Sequence, residues 1–202
     1  MDDGYLITLE GIDGSGTTTI SKRLAEHYDN TILTTEPTDL WTGKQVRKCL
    51  STDSDTTPFT DFFFFMGDRV NHIEKRIKPA IEEDKMVISD RYADSTRAYQ
   101  TIALEEAGVP KGYALPYIEN TMSPFMHEPD LTLWLDVDIE KSFDRIDGDE
   151  KYEQDISFQE RVQMNYEQFN LEEEKRFVRI NANQSIDEVV DDCVEEIARH
   201  LF

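Results

Sequence analysis

Short apolar runs rich in β-forming residues recur along this chain, each stopped by a turn signal and followed by a stretch with helical spacing. Residues 5–10, Tyr-Leu-Ile-Thr-Leu-Glu, end abruptly in a glycine-rich turn and read as a buried strand. In 17–28, Ile20, Leu24 and Tyr28 repeat at helical spacing while Lys22, Arg23 and Glu26 lie elsewhere, which predicts an amphipathic helix. Similar runs at 31–35, 86–89, 131–135 and 177–180 predict four more strands. Helices are expected over 42–50, across 58–83 behind Pro58, over 94–107, in part of 112–122, from 139 and from 185. The last of these carries Ile186, Val189, Val190, Val194 and Ile197 on one side. Strands separated by helices imply a mostly parallel sheet covered on both faces. Residues 146–154 are polar, contain Gly148 and lie between two helices, which makes them the best candidate for a mobile lid.

Composition narrows the class. The 202 residues hold 43 Asp plus Glu against 21 Lys plus Arg, a formal net charge of −22. Such a surface argues against a nucleic-acid polymer as partner, which needs a basic stripe to neutralise phosphates. A small phosphorylated ligand stays open, because a few convergent cations and backbone amides suffice. The acidic residues are scattered along the whole chain, as in a protein adapted to concentrated salt, where screening mutes self-repulsion. An acidic interaction surface is the competing explanation. With 38% hydrophobic residues the chain can build a core. No apolar run is long enough to span a membrane and no signal peptide is visible, so a cytoplasmic protein is expected. Cys49 and Cys193 read as buried free thiols in a reducing compartment.

The chemistry begins directly after the first strand. Glu10-Gly11-Ile12-Asp13-Gly14-Ser15-Gly16-Thr17-Thr18-Thr19 joins that strand to the first helix, where a phosphate-binding loop belongs. Gly11, Gly16 and Thr18 meet the pattern G-x-x-x-x-G-K-[ST], and the Thr18 hydroxyl falls where such loops ligate Mg²⁺. The lysine position, however, holds Thr17. Threonine can donate a hydrogen bond but brings no charge. Losing one cation that stabilises phosphoryl transfer could cost roughly two to three orders of magnitude in rate. Lys22, five residues along the helix, is expected to point away from the loop.

Further motifs follow in order, and together they resemble the thymidylate kinase family. Thr35-Glu36-Pro37 is similar to that family's T-R-E-P segment without its arginine, and Phe65-Met-Gly-Asp-Arg69 to its F-x-x-x-R helix. Asp90-Arg91-Tyr92-Ala-Asp-Ser95 resembles D-R-Y-x-x-S, and Pro129-Asp-Leu-Thr132 with Leu135-Asp136 resembles P-D-L-T-x-x-L-D. Glu150-Lys151-Tyr152-Glu153 and Phe158-Gln-Glu-Arg161 resemble the lid and the helix after it. The stretch 36–43 and the acidity are similar to versions from salt-loving archaea.

The resemblance implies a three-layer α/β P-loop NTPase fold: one nucleoside monophosphate kinase domain over 1–202, a five-stranded parallel sheet with helices on both faces, and a small lid at about 146–155. It implies ATP-dependent phosphorylation of dTMP to dTDP with Mg²⁺, in a homodimer. ATP would sit on Gly11, Gly14, Ser15, Gly16, Thr17, Thr18 and Thr19, with Mg²⁺ at Thr18 and Asp90. Asp13 would hold the sugar 3′-hydroxyl and Phe65 would stack on the base. Arg69 would contact the base or the acceptor phosphate, Arg91 the phosphates, Thr96 the thymine edge, and Tyr99 would crowd the 2′ position. In one form of the family a loop arginine stands at the position of Gly14. Its absence leaves Arg145 and Lys151 as the lid cations over the transferring phosphate. Two alternatives stand beside this reading: a catalytically weakened nucleotide-binding homologue, motivated by Thr17, and a kinase for another nucleoside monophosphate.

Overall fold

A computed structural model describes residues 4–146 and 155–202 of the chain. Five strands form one all-parallel sheet: β1 (Leu6–Glu10), β2 (Thr31–Thr35), β3 (Met86–Asp90), β4 (Leu131–Asp136) and β5 (Phe177–Asn181). Their spatial order is β2-β3-β1-β4-β5, so β1 is central and the chain crosses to either side of it. Every residue of β1, β3 and β4 is buried, which is why these strands read as continuous apolar runs rather than alternating ones.

Helices α1 (Thr17–His27) and α9 (Ile186–Leu201) pack together on one face of the sheet. Helices α3 (Pro58–His72), α5 (Ala93–Glu106), α6 (Ala114–Met122) and α8 (Ile156–Glu172) form the layer on the other face, with α2 (Trp41–Leu50) against α3. A short α7 (Ile139–Phe143) follows β4. The expected three-layer α/β architecture is therefore present. Ser185 and Glu188 form a capping box that starts α9. Val189, Val190, Cys193 and Ile197 carry that helix's buried face, while Ile186, expected on it, is half exposed. Cys49 and Cys193 are both buried and are not joined in a disulfide.

The continuous helix expected over 58–83 is interrupted. After α3 the backbone makes a π-helical turn, Ile73–Ile77, and resumes as α4 (Lys78–Glu82). Pro79 supplies the reason, since it has no N–H to give and its ring clashes with the carbonyl four residues back. The wider turn, in which Lys78 N–H reaches Ile73 O, absorbs the misfit and keeps Ile73 and Ile77 in the core.

Parallel order sends the loops after β1, β2, β3 and β4 to the same edge of the sheet. Ligands collect at that carboxyl edge where the strand order switches, here around β1.

Candidate active site

The loop after β1 turns on two glycines with positive φ, Gly14 (75°) and Gly16 (98°). Gly16 is the N-cap of α1, and no side chain caps that helix. The first amides of α1 are thus left to a ligand, at the positive end of the helix dipole. Beside the loop, Thr18 Oγ1 donates to Asp90 Oδ2 over 2.6 Å, bridging α1 and the end of β3. Asp90 Oδ1 is buried and has no partner among the described residues. One hydroxyl and one carboxylate with an orphaned oxygen suit Mg²⁺, which keeps several waters and takes its other ligands from substrate phosphates. Among the described residues no group of three or more His, Cys, Asp or Glu could hold a metal unaided.

Next to the loop lies a pocket whose open space, mouth included, is about 610 Å³. Asp13, Glu36, Phe65, Arg69, Arg91, Thr96, Tyr99 and Gln100 are among the residues that line it. Phe65 and Arg69 come from one face of α3, four residues apart. On α5, Ser95 pairs with Tyr99 and Thr96 with Gln100 at the same spacing. The run Phe62–Phe65 divides as a helix requires: Phe62 is core, Phe63 is 53% exposed, and Phe65 lines the pocket.

Arg91 follows β3 with φ 66°, a left-handed backbone uncommon for a non-glycine residue. Its guanidinium donates to Asp13 Oδ1 (2.7 Å), Gly11 O (2.8 Å) and Ser95 Oγ (3.1 Å) and lies 5.4 Å over the Tyr99 ring. Asp13 Oδ2 accepts from Gln159 Nε2 at 2.8 Å. Arg69 is 1% exposed; it donates to Glu36, to Tyr92 O (2.9 Å) and to Thr96 Oγ1 (2.9 Å). The other oxygen of Glu36 is 2.8 Å from His72 Nδ1. Burial pushes the Glu36 carboxyl upward, but Arg69 and His72 outweigh it and leave it below its ordinary value. Glu10, fully buried at the end of β1, is raised to about 7 by burial, with Asp94 adding to the effect.

The family model for thymidylate kinase matches residues 9–193. The chain belongs to the thymidylate kinase family. Its relatives include proteins named "Probable thymidylate kinase" from the halophilic archaea Halorubrum lacusprofundi and Natronomonas pharaonis, each 39% identical. The first alignment covers 98% of this chain and 98% of the relative, the second 95% and 96%. A crystal structure of thymidylate kinase from Ehrlichia chaffeensis superposes with a TM-score of 0.77 at 28% identity, over 96% of this chain and 99% of that one.

Within this thymidylate kinase fold, six of the residues expected at the acceptor, Asp13, Phe65, Arg69, Arg91, Thr96 and Tyr99, line one pocket. Thr18 and Asp90 meet beside the loop. Thr17 is 5% exposed and Lys22 points to solvent, so neither puts charge at the loop. Arg145 is exposed, with Nη1 3.3 Å from Gly14 O, on the outer rim of the loop. Gly14 itself has no room for an arginine, since a Cβ there would sit 2.3 Å from Ser142 O. Lys151 and most of the expected lid lie outside the described residues.

Several site residues had no role assigned from sequence, among them Glu36, which holds Arg69, and Ser95, which accepts from Arg91. Gln100 has a buried, unpartnered Oε1 among the described residues and lines the pocket; its i,i+4 spacing from Thr96 was the available signal. Gln159 grips Asp13 from 146 residues away, and Glu10 meets Ser95 and Tyr166 from 85 and 156. No local pattern announces such pairs.

Proposed function

We propose that this protein transfers the γ-phosphoryl group of ATP to dTMP, giving dTDP for dTTP synthesis. The observation that carries this reading is the single pocket in which Asp13, Phe65, Arg69, Arg91, Thr96 and Tyr99 converge beside the phosphate loop. Phe65 offers a flat face for stacking on thymine. Arg69, locked against Glu36 and Thr96, faces the base edge, where Thr96 and Gln100 supply hydrogen-bonding groups. Tyr99 crowds the 2′ position, and Asp13 keeps lone pairs free to accept the 3′-hydroxyl.

Arg91 is the cation for the acceptor phosphate and for charge developing in transfer; its planar fork suits bidentate contact. The amides over Gly11–Thr19, with Ser15 and Gly16 shaping the turn, hold the donor phosphates. Thr18 and Asp90 would hold Mg²⁺, which neutralises phosphate charge when bound. Arg145 must leave Gly14 O and, with Lys151, cover the phosphates as the lid at about 146–155 closes. The protein works as a homodimer, with the exposed Phe59, Phe63 and Val70 of α3 and Tyr117 of α6 as an apolar face for a second copy. Its acidity suits a salt-rich cytoplasm.

A coupled ADP-release assay with a panel of nucleoside monophosphates, run across KCl concentrations, tests this; turnover of none of them would sink it. Thr17 favours a second reading, a nucleotide-binding homologue with weakened catalysis. Comparing the native protein with Thr17→Lys separates the two. A gain of about a hundredfold or more means the natural loop is impaired. A gain of a fewfold means another cation already serves.

A further inference from the structure

Glu10 is fully buried and is not among the residues that line the pocket, yet its carboxylate gathers three donors. Oε1 accepts the Tyr92 N–H at 2.8 Å; Oε2 accepts from Ser95 Oγ and from Tyr166 OH, the latter at 3.1 Å. Two of these three follow Arg91 closely in the chain, one and four residues on. Arg91 has φ 66°, a region that costs an L-residue about 1–2 kcal/mol. Something must hold it there. Its own N–H is tied to Leu9 O at 2.9 Å, and the next amide, Tyr92, is tied to Glu10.

Tyr92 is also the N-cap of α5, with no side-chain cap of its own. A capping-box acid inside the helix would bond that same amide; here the acid arrives from β1 instead. Ser95, at the third helical position, donates its hydroxyl proton to Glu10. Its lone pairs are left to accept Arg91 Nη1 at 3.1 Å. One carboxylate therefore fixes both the backbone and the guanidinium of Arg91.

We propose that Glu10 is a positioning residue for phosphoryl transfer, holding Arg91 in its left-handed conformation through Tyr92 N–H and aiming its guanidinium through Ser95. This rests on the role given to Arg91 above. Glu10→Gln keeps the shape but leaves one acceptor oxygen for three donors. If that oxygen keeps Tyr92 N–H, the new amide N–H₂ competes with Arg91 for the Ser95 lone pairs.

The test is a double-mutant cycle of Glu10→Gln and Arg91→Lys, with dTMP and ATP varied separately in the coupled assay. Glu10→Gln should lower kcat/KM for dTMP about tenfold with the KM for ATP within twofold of native. In the Arg91→Lys background the same change should cost less than about twofold. An equal loss in both backgrounds would mean a merely structural role and overturn the proposal. So would a native-like Glu10→Gln enzyme beside an impaired Arg91→Lys one. A native-like Arg91→Lys enzyme would instead overturn the reading of Arg91, and this proposal with it. Should Glu10→Gln not fold, Ser95→Ala takes its place in the cycle; a loss of about threefold that vanishes with Arg91→Lys is expected, and a loss that persists overturns the proposal.

Discussion

Adding a single methyl group at Gly14 should damage this protein more than adding one at Gly16 in the same loop. The Cβ of Gly14→Ala would lie 2.3 Å from Ser142 O and 2.9 Å from Ser142 C, backbone atoms that cannot swing aside. Forcing α7 away costs about 1–3 kcal/mol by analogy with overpacked cores. The φ of 75° adds roughly 1–2 kcal/mol for an L-residue. The sum is about 2–5 kcal/mol. Gly16 shares the positive φ, 98°, but nothing lies within 4 Å of its Cβ position, so Gly16→Ala should cost only the backbone share of about 1–2 kcal/mol. Gly67 sits inside α3 with no such φ and open space around it; Gly67→Ala should stabilise by about 0.5–1 kcal/mol. A chain of this length shifts its Tm by roughly 2–4 °C per kcal/mol. Thermal melts of the three variants in concentrated KCl should therefore rank them with Gly67→Ala above native, Gly16→Ala a few degrees below, and Gly14→Ala lowest by about 5–15 °C. A Gly14→Ala protein melting within a degree or two of Gly16→Ala would refute the close approach of the phosphate loop to α7. With it would fall the argument that no loop arginine fits at Gly14.

Two further perturbations probe the buried charges. Arg69→Met leaves the Glu36 carboxylate buried beside His72 with its main cation gone. About 3–5 kcal/mol of stability should be lost in denaturant titrations and part of it restored by adding Glu36→Gln; no loss would contradict the buried pair. Glu10 binds its proton more tightly folded, at about 7, than its unfolded value of 4.5, so its contribution to stability is full below pH 4.5 and disappears as pH rises through 7. Relative to Glu10→Gln, the native protein should lose roughly 2–3 kcal/mol between pH 5 and pH 8 in urea titrations. A difference that does not change with pH would show that burial does not raise the Glu10 carboxyl, which in the folded protein is the three-donor carboxylate only above pH 7.

What the sequence makes legible here is local. β1 ends at Glu10 as expected, β3 and β4 each run one residue past their apolar runs to Asp90 and Asp136, and the glycine-rich turn opens α1 at Thr17 as expected. The pocket residues Asp13, Phe65, Arg69, Arg91, Thr96 and Tyr99 could be named because each sits in a short motif. Which groups meet across the fold could not be read, since nothing near Asp13 points to Gln159 and nothing near Glu10 points to Tyr166. Arg69 shows the same limit: its motif marks it as a ligand residue, while its near-complete burial against Glu36 and Thr96 depends on the packing of α3 over the sheet edge. The π-helical turn before Lys78 escaped because a proline in a helical pattern signals a break without saying how the backbone will absorb it. The charge of −22 also gains a sharper meaning, because among the described residues Arg69 and Arg91 are the cations that line the pocket, and both are tied to carboxylates.

The central claim is that this pocket passes phosphate from ATP to dTMP. It is tested most directly by initial rates of ADP formation with Mg²⁺, ATP and each of dTMP, dUMP, TMP with a ribose sugar, AMP and CMP, in high KCl. The account predicts that dTMP has the highest kcat/KM, that its ribose counterpart is selected against, and that Tyr99→Ala narrows that gap. Turnover of dTMP no faster than of AMP or CMP, or binding of dTMP with no ADP formed at any salt concentration, would contradict it.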